Sequence, residues 1–252
     1  MKKLSQFAGE SWRIRRILSA SDFLRWLGLV LVNLPTVLRT GSLGAVDTAF
    51  GSRVRFRCGK GWIEIEDGAL GVVREIIGAH CYIEPEELAP ARNILDLGAN
   101  CGVFSLFALA NAPTAKVVAV EVQPPMAKVA QENLARNGLG SRANVINGIA
   151  GEKTSFVHSL LAKYPDIQAF NPMTYLDEVG SCDFLKCDIE GAEFGFITAG
   201  ATWLRRVKRI SLEYHGHWED GAQLKTVLEG HGFAVEQHPH GVLGYLIGRR
   251  PA

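Results

Sequence analysis

The 252-residue sequence lacks a marked excess of charge, paired cysteines and a long uninterrupted apolar segment. Its net charge of +1 gives no general argument for nucleic-acid binding. Its five cysteines form no C-x-x-C pair and no zinc-ligand spacing, so they predict reduced thiols in a reducing compartment such as the cytoplasm. Internal repeats and low-complexity tracts do not occur either. The length then suits one α/β domain with an extension.

The longest apolar stretch, Phe23 to Leu38, is interrupted by Arg25, Asn33 and Pro35. A membrane span needs about 20 mostly apolar residues, so we do not expect the chain to cross a bilayer here. Apolar residues at spacings of three and four predict a helical stripe, which consists of Ile17, Ala20, Leu24, Leu27, Leu31, Leu34 and Leu38. We expect residues 1–40 to form a helical extension that covers an apolar surface of this chain or of a second copy. The alternative is peripheral membrane contact, with the flanking arginines towards anionic lipid.

Residues 41–92 are predicted to form a lead-in segment that precedes the α/β domain. Arg53–Arg57 and Trp62–Glu66 alternate in polarity like two paired strands, and Cys58–Gly61 supplies the turn between them. A short helix is expected at Val72–Ile77.

Strands and helices then alternate through residues 93–252, which predicts an α/β fold with a doubly wound, mostly parallel sheet. Strands are predicted at 94–97, 117–121, from 145, at 183–188 and at 209–214, and 233–237 with 243–249 forms a terminal antiparallel pair. Helices are predicted at 103–110, 126–137, 194–198, 201–205 and 222–229.

A nucleotide-cofactor loop follows the first of these strands. The chain reads Asp96-Leu-Gly-Ala-Asn-Cys-Gly102, and a second apolar strand ends in an acid at Glu121. A dinucleotide loop needs glycines at three positions of G-x-G-x-x-G, but Asn100 and Val103 occupy the second and third. The loop therefore suits S-adenosylmethionine, which has no pyrophosphate, with the Glu121 carboxylate on the ribose diol. An ordinary strand–turn–helix is the alternative.

Three motifs together resemble the FkbM family of S-adenosylmethionine-dependent methyltransferases. They are D-L-G-A-N-x-G at 96–102, E-N-L-A-R-N-G-L at 132–139 and D-F-L-K-C-D-I-E-G-A-E at 183–193. The resemblance covers about residues 70 to 250. It departs from the common pattern after Glu121, where this chain has Val-Gln-Pro instead of an immediate proline.

The resemblance implies a class I methyltransferase, Rossmann-like fold with an antiparallel last strand. It also implies transfer of a methyl group to a hydroxyl of a sugar, glycan or polyketide-like metabolite. We expect cofactor binding at Asp96, Gly98, Asn100, Gly102, Glu121 and Asp188. The alternatives are a catalytically silent protein that binds a cofactor or a partner, and a nucleotide-dependent oxidoreductase.

Four ionisable residues follow two neighbouring strands of the predicted sheet. Asp188 and Glu190 come after one strand, and Glu213 and His215 end the next. Ligands bind at the carboxyl ends of strands in such sheets, so we expect these side chains to converge as catalytic residues. His215 is the expected base because an unperturbed imidazole titrates near neutrality. As an alternative, the same four side chains hold a divalent metal, for which oxygen-rich ligands favour magnesium.

Overall fold

The computed structural model describes residues 2–66, 70–151, 154–198, 200–216, 218–240 and 243–251. The chain divides into two compact units, the first ending at Cys81 and the second beginning at Tyr82. The predicted division into 1–40, 41–92 and 93–252 stays a prediction, and the boundary between the two units falls inside its second segment.

The first unit combines helices with a β-hairpin. Its elements are α1 (Lys2–Ile17), α2 (Ala20–Val32), α3 (Leu34–Thr40), α4 (Gly44–Phe50), β1 (Val54–Cys58), β2 (Gly61–Ile65), α5 (Leu70–Val73) and a π-helical turn at Arg74–Gly78. The predicted hairpin is confirmed, since β1 and β2 pair in antiparallel register from Val54 opposite Ile65. Alternation places Val54 and Phe56 in the interior and Arg55 in solvent.

The N-terminal helices bury a different face from the one expected. The α2 helix begins after Ser19, whose hydroxyl accepts a hydrogen bond from the Asp22 amide. It buries Trp26 and Val30, whereas Leu24 and Leu31 of the predicted stripe are exposed. Ile17 of the stripe is buried, so the stripe packs only at its start. The expectation that residues 1–40 cover an apolar surface of this chain or of a second copy stays a prediction. Apolar residues lie on both sides of α2, and the side with the large indole ring is the one that packs.

Among the described residues, we find no single helix with the length and apolar composition of a membrane span. Within that described part of the chain, α2 and α3 taken together meet the criterion, and a bend of 71° separates them.

The second unit is built on a sheet that has eight strands within the described chain. They are β3 (Asn93–Leu97), β4 (Lys116–Glu121), β5 (Ala143–Ile149), β6 (Gln168–Ala169), β7 (Phe184–Cys187), β8 (Arg209–His215), β9 (Ala234–His240) and β10 (Leu243–Arg249). Their order across the sheet is β6-β5-β4-β3-β7-β8-β10-β9. The strand β10 runs antiparallel to β8 and β9, and the other pairs are parallel. The predicted doubly wound sheet with an antiparallel last strand is confirmed.

Helices connect these strands. They are α6 (Pro85–Leu88), α7 (Val103–Asn111), α8 (Pro124–Arg136), α9 (Ser155–Lys163), α10 (Pro172–Val179), α11 (Glu193–Phe196) and α12 (Trp218–Gly230), with 3-10 turns at Gly140–Arg142 and Thr202–Arg206. The α7 helix is almost entirely apolar and buried because it fills the space against β3 and β4. Prolines at the start of α8 suit the first turn of a helix, where no intrahelical amide donor is needed.

The strand β3 marks the point where the winding of the sheet reverses. The chain adds β4, β5 and β6 on one side of β3 and then crosses to add β7 and β8 on the other side of β3. Residue Leu97 pairs with Val120 of β4 and Cys187 of β7, so the loops after the three strands emerge side by side. This is the position at which open α/β sheets bind ligands.

All five cysteines are thiols, and four of them, Cys58, Cys101, Cys182 and Cys187, are buried. Burial raises the pKa of Cys182 to about 12 and raises that of Cys187 well above its ordinary value. Both thiols therefore stay protonated at physiological pH.

Candidate active site

A cavity opens at the carboxyl ends of β3, β4 and β7. Five residues predicted from the sequence line it, namely Gly98, Asn100, Glu121, Asp188 and Glu190. The apolar part of its wall comes from Val120, Val122, Ile149, Ala150, Phe156, Val157 and Ile189. The combination of an apolar wall with a few convergent polar groups is typical of a small-molecule site.

The loop after β3 can adopt its path only with glycine at position 98. Gly98 has a φ of +76°, and a Cβ there would collide with the carbonyl oxygen of Asp188. Asn100 also has a positive φ, of +49°, which asparagine tolerates better than most residues. The loop thus brings its backbone against the loop after β7.

Glu121 holds the loops that follow β3 and β4. One carboxylate oxygen accepts the backbone amide of Asn100 and the other accepts that of Gln123, both at 2.8 Å. Burial raises the pKa of Glu121 above its ordinary value, and the two amide donors act in the opposite direction. The carboxylate lines the cavity and retains further acceptor sites, so a ribose diol remains a compatible ligand.

Two of the predicted cofactor-binding residues do not reach the cavity. Asp96 is fully buried inside β3, where it accepts a hydrogen bond from the Ser105 hydroxyl at 2.6 Å. Gly102 is buried against α8, and a Cβ there would lie 3.2 Å from that of Ala130. Asp96 and Gly102 do not line the cavity, and direct cofactor contact by these two residues stays a prediction. Their positions in the motif serve the packing of the loop and of the helix that follows it.

Lys186 in β7 ties the loop after β3 to the acids around it. Its ammonium group donates to the carbonyl oxygens of Gly98, at 2.6 Å, and Leu97, at 3.3 Å. It lies 3.4 Å from a carboxylate oxygen of Asp96 and 3.6 Å from one of Asp188. Burial alone would lower the pKa of Lys186, but these two negative charges raise it above its ordinary value. The lysine is therefore a buried permanent cation.

Tyr82 joins two of the predicted catalytic carboxylates. Its hydroxyl lies 2.7 Å from Glu213 and 3.1 Å from Asp188. The Lys186 ammonium group faces the tyrosine ring, 5.5 Å from its centre. These contacts fix Asp188 and Glu213 side by side.

His215 ends β8 between two further carboxylates. Its Nδ1 lies 3.6 Å from Glu193, which is fully buried, and its Nε2 lies 3.4 Å from Glu190 at the cavity wall. Glu193 raises the pKa of His215 to about 9, partial burial acts against this, and the charges of Asp188 and Glu190 add to the rise. The three acids therefore move the pKa of His215 away from that of an unperturbed imidazole, and its role as the base stays a prediction.

Glu190 itself has a φ of +54°. Backbone strain of this kind in a residue other than glycine is common at functional sites. The strain turns the chain after β7 so that Glu190 faces both the cavity and His215.

The four predicted catalytic residues thus meet, and three of them come close enough to share a cation. Ligand atoms of Asp188, Glu213 and His215 lie within 4.8 Å of one another. The fit to a metal is nevertheless poor. The Tyr82 hydroxyl and the Lys186 ammonium group already contact the acids, and a cation would have to displace the proton that the raised pKa of His215 favours at neutral pH. We therefore assign no metal to these residues.

Three residues of the site are absent from the sequence-based set, namely Tyr82, Lys186 and Glu193. Lys186 carries a readable signal, since a lysine within the buried strand Phe184–Cys187 needs acidic or carbonyl partners. Glu193 stands in the motif at 183–193 but without a distinctive spacing. Tyr82 lies 106 residues before Asp188, and no local pattern links the two.

The cavity fits a nucleoside cofactor that has no pyrophosphate. Positions 100 and 103 lack the glycines that open a helix N-terminus to phosphates, and Val103 there is buried. The donors and acceptors that remain suit a ribose at Glu121 and an amino group at Asp188.

Two solved methyltransferase structures are among those that the chain resembles. The chain resembles an O-methyltransferase family protein from Burkholderia thailandensis, with a TM-score of 0.50 and 14% identity over 95% of this chain and 76% of that chain. It also resembles precorrin-6y C5,15-methyltransferase from Geobacter metallireducens GS-15, with a TM-score of 0.44 and 15% identity over 67% and 86% of the two chains. At such identities the likeness concerns the fold alone.

No curated protein sequence matches the chain. The profile of the methyltransferase FkbM domain, however, matches residues 96–235. This range contains the loop after β3, Glu121 and the cluster around His215. Because the match covers more than half of the sequence, the chain belongs to the FkbM family of S-adenosylmethionine-dependent methyltransferases.

Proposed function

We propose that the protein transfers a methyl group to a hydroxyl of a small metabolite, a sugar or a glycan. The observation that carries this proposal is the position of His215. Its imidazole lies next to Glu190, which lines the cavity, and the buried carboxylate of Glu193 lies 3.6 Å from its other nitrogen. A hydroxyl acceptor must lose a proton as it is methylated, and an oriented imidazole can take it.

Three residues of this chain would hold the cofactor. The Glu121 carboxylate would bind the ribose hydroxyls, and Asp188 would face the amino group of the methionine part. The backbone at Gly98 would lie against the cofactor because no side chain intervenes there. S-adenosylmethionine supplies an electrophilic methyl group on a sulfonium, whose bond to sulfur breaks as the bond to the acceptor oxygen forms.

The remaining acids position the base and the acceptor. Glu193 lies 3.6 Å from Nδ1 and attracts the imidazole by its charge, and Nε2 is directed towards Glu190 at 3.4 Å. The proton of the acceptor hydroxyl would pass to Nε2 of a His215 that has already lost its own proton. Glu190, at the cavity wall, would bind another hydroxyl of the acceptor, and Glu213 would keep Asp188 in place through Tyr82.

A methyl-transfer assay tests the proposal. The protein would be incubated with S-adenosylmethionine carrying an isotopically labelled methyl group and with pools of hydroxylated sugars and metabolites. Label in a base-stable ether product supports O-methylation. Label only on nitrogen or carbon, with an active protein, would contradict the acceptor class.

The metal alternative has a separate test. If the proton passes to His215 as described, a chelator leaves turnover unchanged and added magnesium has no effect. Loss of activity on chelation, with recovery on addition of magnesium, would instead assign Asp188, Glu213 and His215 to a cation.

A further inference from the structure

An apolar surface of the first unit faces solvent. It consists of Leu24 and Leu31 on α2 and Leu34 and Leu38 on α3, and it is called the leucine face below. Leu24, Leu31 and Leu38 are 67%, 70% and 63% exposed. Single exposed leucines are common on protein surfaces, but a run of them along two successive helices is not.

The leucine face is not an unused part of the core, because α2 has already packed its other side. Trp26 and Val30 are 0% and 3% exposed, and α2 packs against α4. Leu24 and Leu31 are seven residues apart, which places them on one side of a helix, and Trp26 is about 160° away from them. The helix is thus apolar on two opposite sides, of which protein covers one.

The segment that carries the leucine face is rich in positive charge. Residues 1–44 contain seven basic and two acidic residues, whereas the whole chain has a net charge of only +1. Arg15, Arg16, Arg25 and Arg39 are exposed. Both acids of the segment are engaged, Glu10 with Arg13 and Arg74 and Asp22 with the Ser19 hydroxyl.

An exposed tryptophan lies on the preceding helix. Trp12 is 62% exposed, and the guanidinium group of Arg16 covers its ring at 4.6 Å from the ring centre. An indole ring beside a guanidinium group is suited to the boundary between lipid headgroups and acyl chains.

We propose that the leucine face binds the surface of an anionic lipid bilayer, with the leucines inserted among the acyl chains and the arginines at the phosphates. The helices lie on the bilayer and do not cross it. The 13 residues of α2 extend about 20 Å, which is shorter than the hydrocarbon core, and Arg25 lies within them.

A second copy of the chain is a less suitable partner for this surface. Twofold pairing would bring together two identical segments that are both rich in arginine, and their repulsion would oppose the contact. An anionic bilayer supplies both an apolar interior and the opposite charge.

Vesicle flotation with the full-length chain tests the proposal. We expect the protein to float with vesicles of phosphatidylcholine and phosphatidylglycerol, to bind vesicles of phosphatidylcholine alone on the order of tenfold less, and to dissociate as salt increases. The double variant Leu31→Ser/Leu38→Ser should lose at least about tenfold in binding to the anionic vesicles. All four side chains of the leucine face are exposed, so the variant should keep its unfolding temperature.

Matched controls separate this surface from general stickiness. Trp62→Ser removes an exposed apolar ring from the hairpin, and Arg57→Gln/Lys116→Gln removes two exposed charges elsewhere. Both should bind vesicles like the wild type, whereas Arg15→Gln/Arg16→Gln should bind more weakly.

Three outcomes would overturn the proposal. The first is wild-type protein that does not float with anionic vesicles, and the second is equal binding to both kinds of vesicle. The third is a stable dimer in sedimentation experiments that Leu31→Ser/Leu38→Ser dissociates, since this would assign the leucine face to a second copy.

Discussion

Glu121 combines a structural role with a proposed contact to the cofactor. Replacing it by alanine removes the acceptor for the Asn100 and Gln123 amides as well as the proposed ribose contact. We expect Glu121→Ala to weaken binding of S-adenosylhomocysteine by about 1–3 kcal/mol, as measured by isothermal titration. Glu132→Ala is the matched control, because Glu132 lies exposed on α8. Equal affinity of Glu121→Ala and the control would refute the assignment.

The pH dependence of turnover follows from the raised pKa of His215. Since this pKa is about 9, roughly a hundredth of the molecules carry a neutral imidazole at pH 7. We expect kcat to rise with pH, with the midpoint near pH 9 and a plateau above it, because only the neutral imidazole accepts a proton. His215→Ala should lower kcat on the order of 10²–10⁴-fold and abolish this rise.

The variant Glu193→Gln tests the cause of that pKa. Removing the negative charge beside Nδ1 lowers the pKa of His215, so the rise in kcat should move to lower pH. Glu178→Gln, on α10, is the control because it changes the net charge of the protein by the same amount as Glu193→Gln. If kcat of Glu193→Gln rises at the same pH as that of the wild type, a group other than His215 accepts the proton.

The loops after β3 and β7 contact each other at Gly98 and Asp188. Gly98→Ala should destabilise the protein more than Gly138→Ala, although both glycines have positive φ, of +76° and +69°. Alanine at 138 meets open space and incurs only the backbone cost, about 1–2 kcal/mol. Alanine at 98 must also push the Asp188 carbonyl away. Urea unfolding of both variants measures the difference, and equal losses would show that the loops separate easily.

The strands that frame the site could be predicted from the sequence to within about two residues. The segments at 94–97 and 117–121 are apolar runs of strand length that end in polar residues, and the observed β3 and β4 contain them. The segment after β5 could not be predicted in the same way. It holds α9, β6 and α10, and the starts of the two helices are marked by short local signals, the capping residues Thr154 and Asn171 with Pro172 after the second.

The side of a helix that packs is harder to predict than the helix. Spacing alone selected the leucines of α2, but Trp26 on the opposite side buries a larger side chain. For the site, sequence motifs located the loops and four of the ionisable groups. They could not show that Asp96 faces Lys186 inside the sheet, because a position within a motif does not reveal whether its side chain reaches solvent.

Stabilisation of the whole protein by a ligand distinguishes a methyltransferase from the alternative of an oxidoreductase. A ligand that binds only the folded chain stabilises it by about 2.7 kcal/mol at a hundred times its Kd. S-adenosylhomocysteine should therefore raise the unfolding temperature, and NAD at the same concentration should not. Stabilisation by NAD alone would contradict the cofactor assignment, and stabilisation by neither would favour a silent protein.

The buried thiols provide built-in reporters of unfolding. Cys58 lies in the first unit and Cys182 and Cys187 in the second, and alkylating reagents attack only an accessible thiolate. Each of these cysteines should thus react only when its surroundings open. Peptide mapping after timed alkylation would then give an opening rate for each unit in the wild-type chain, without any engineered label.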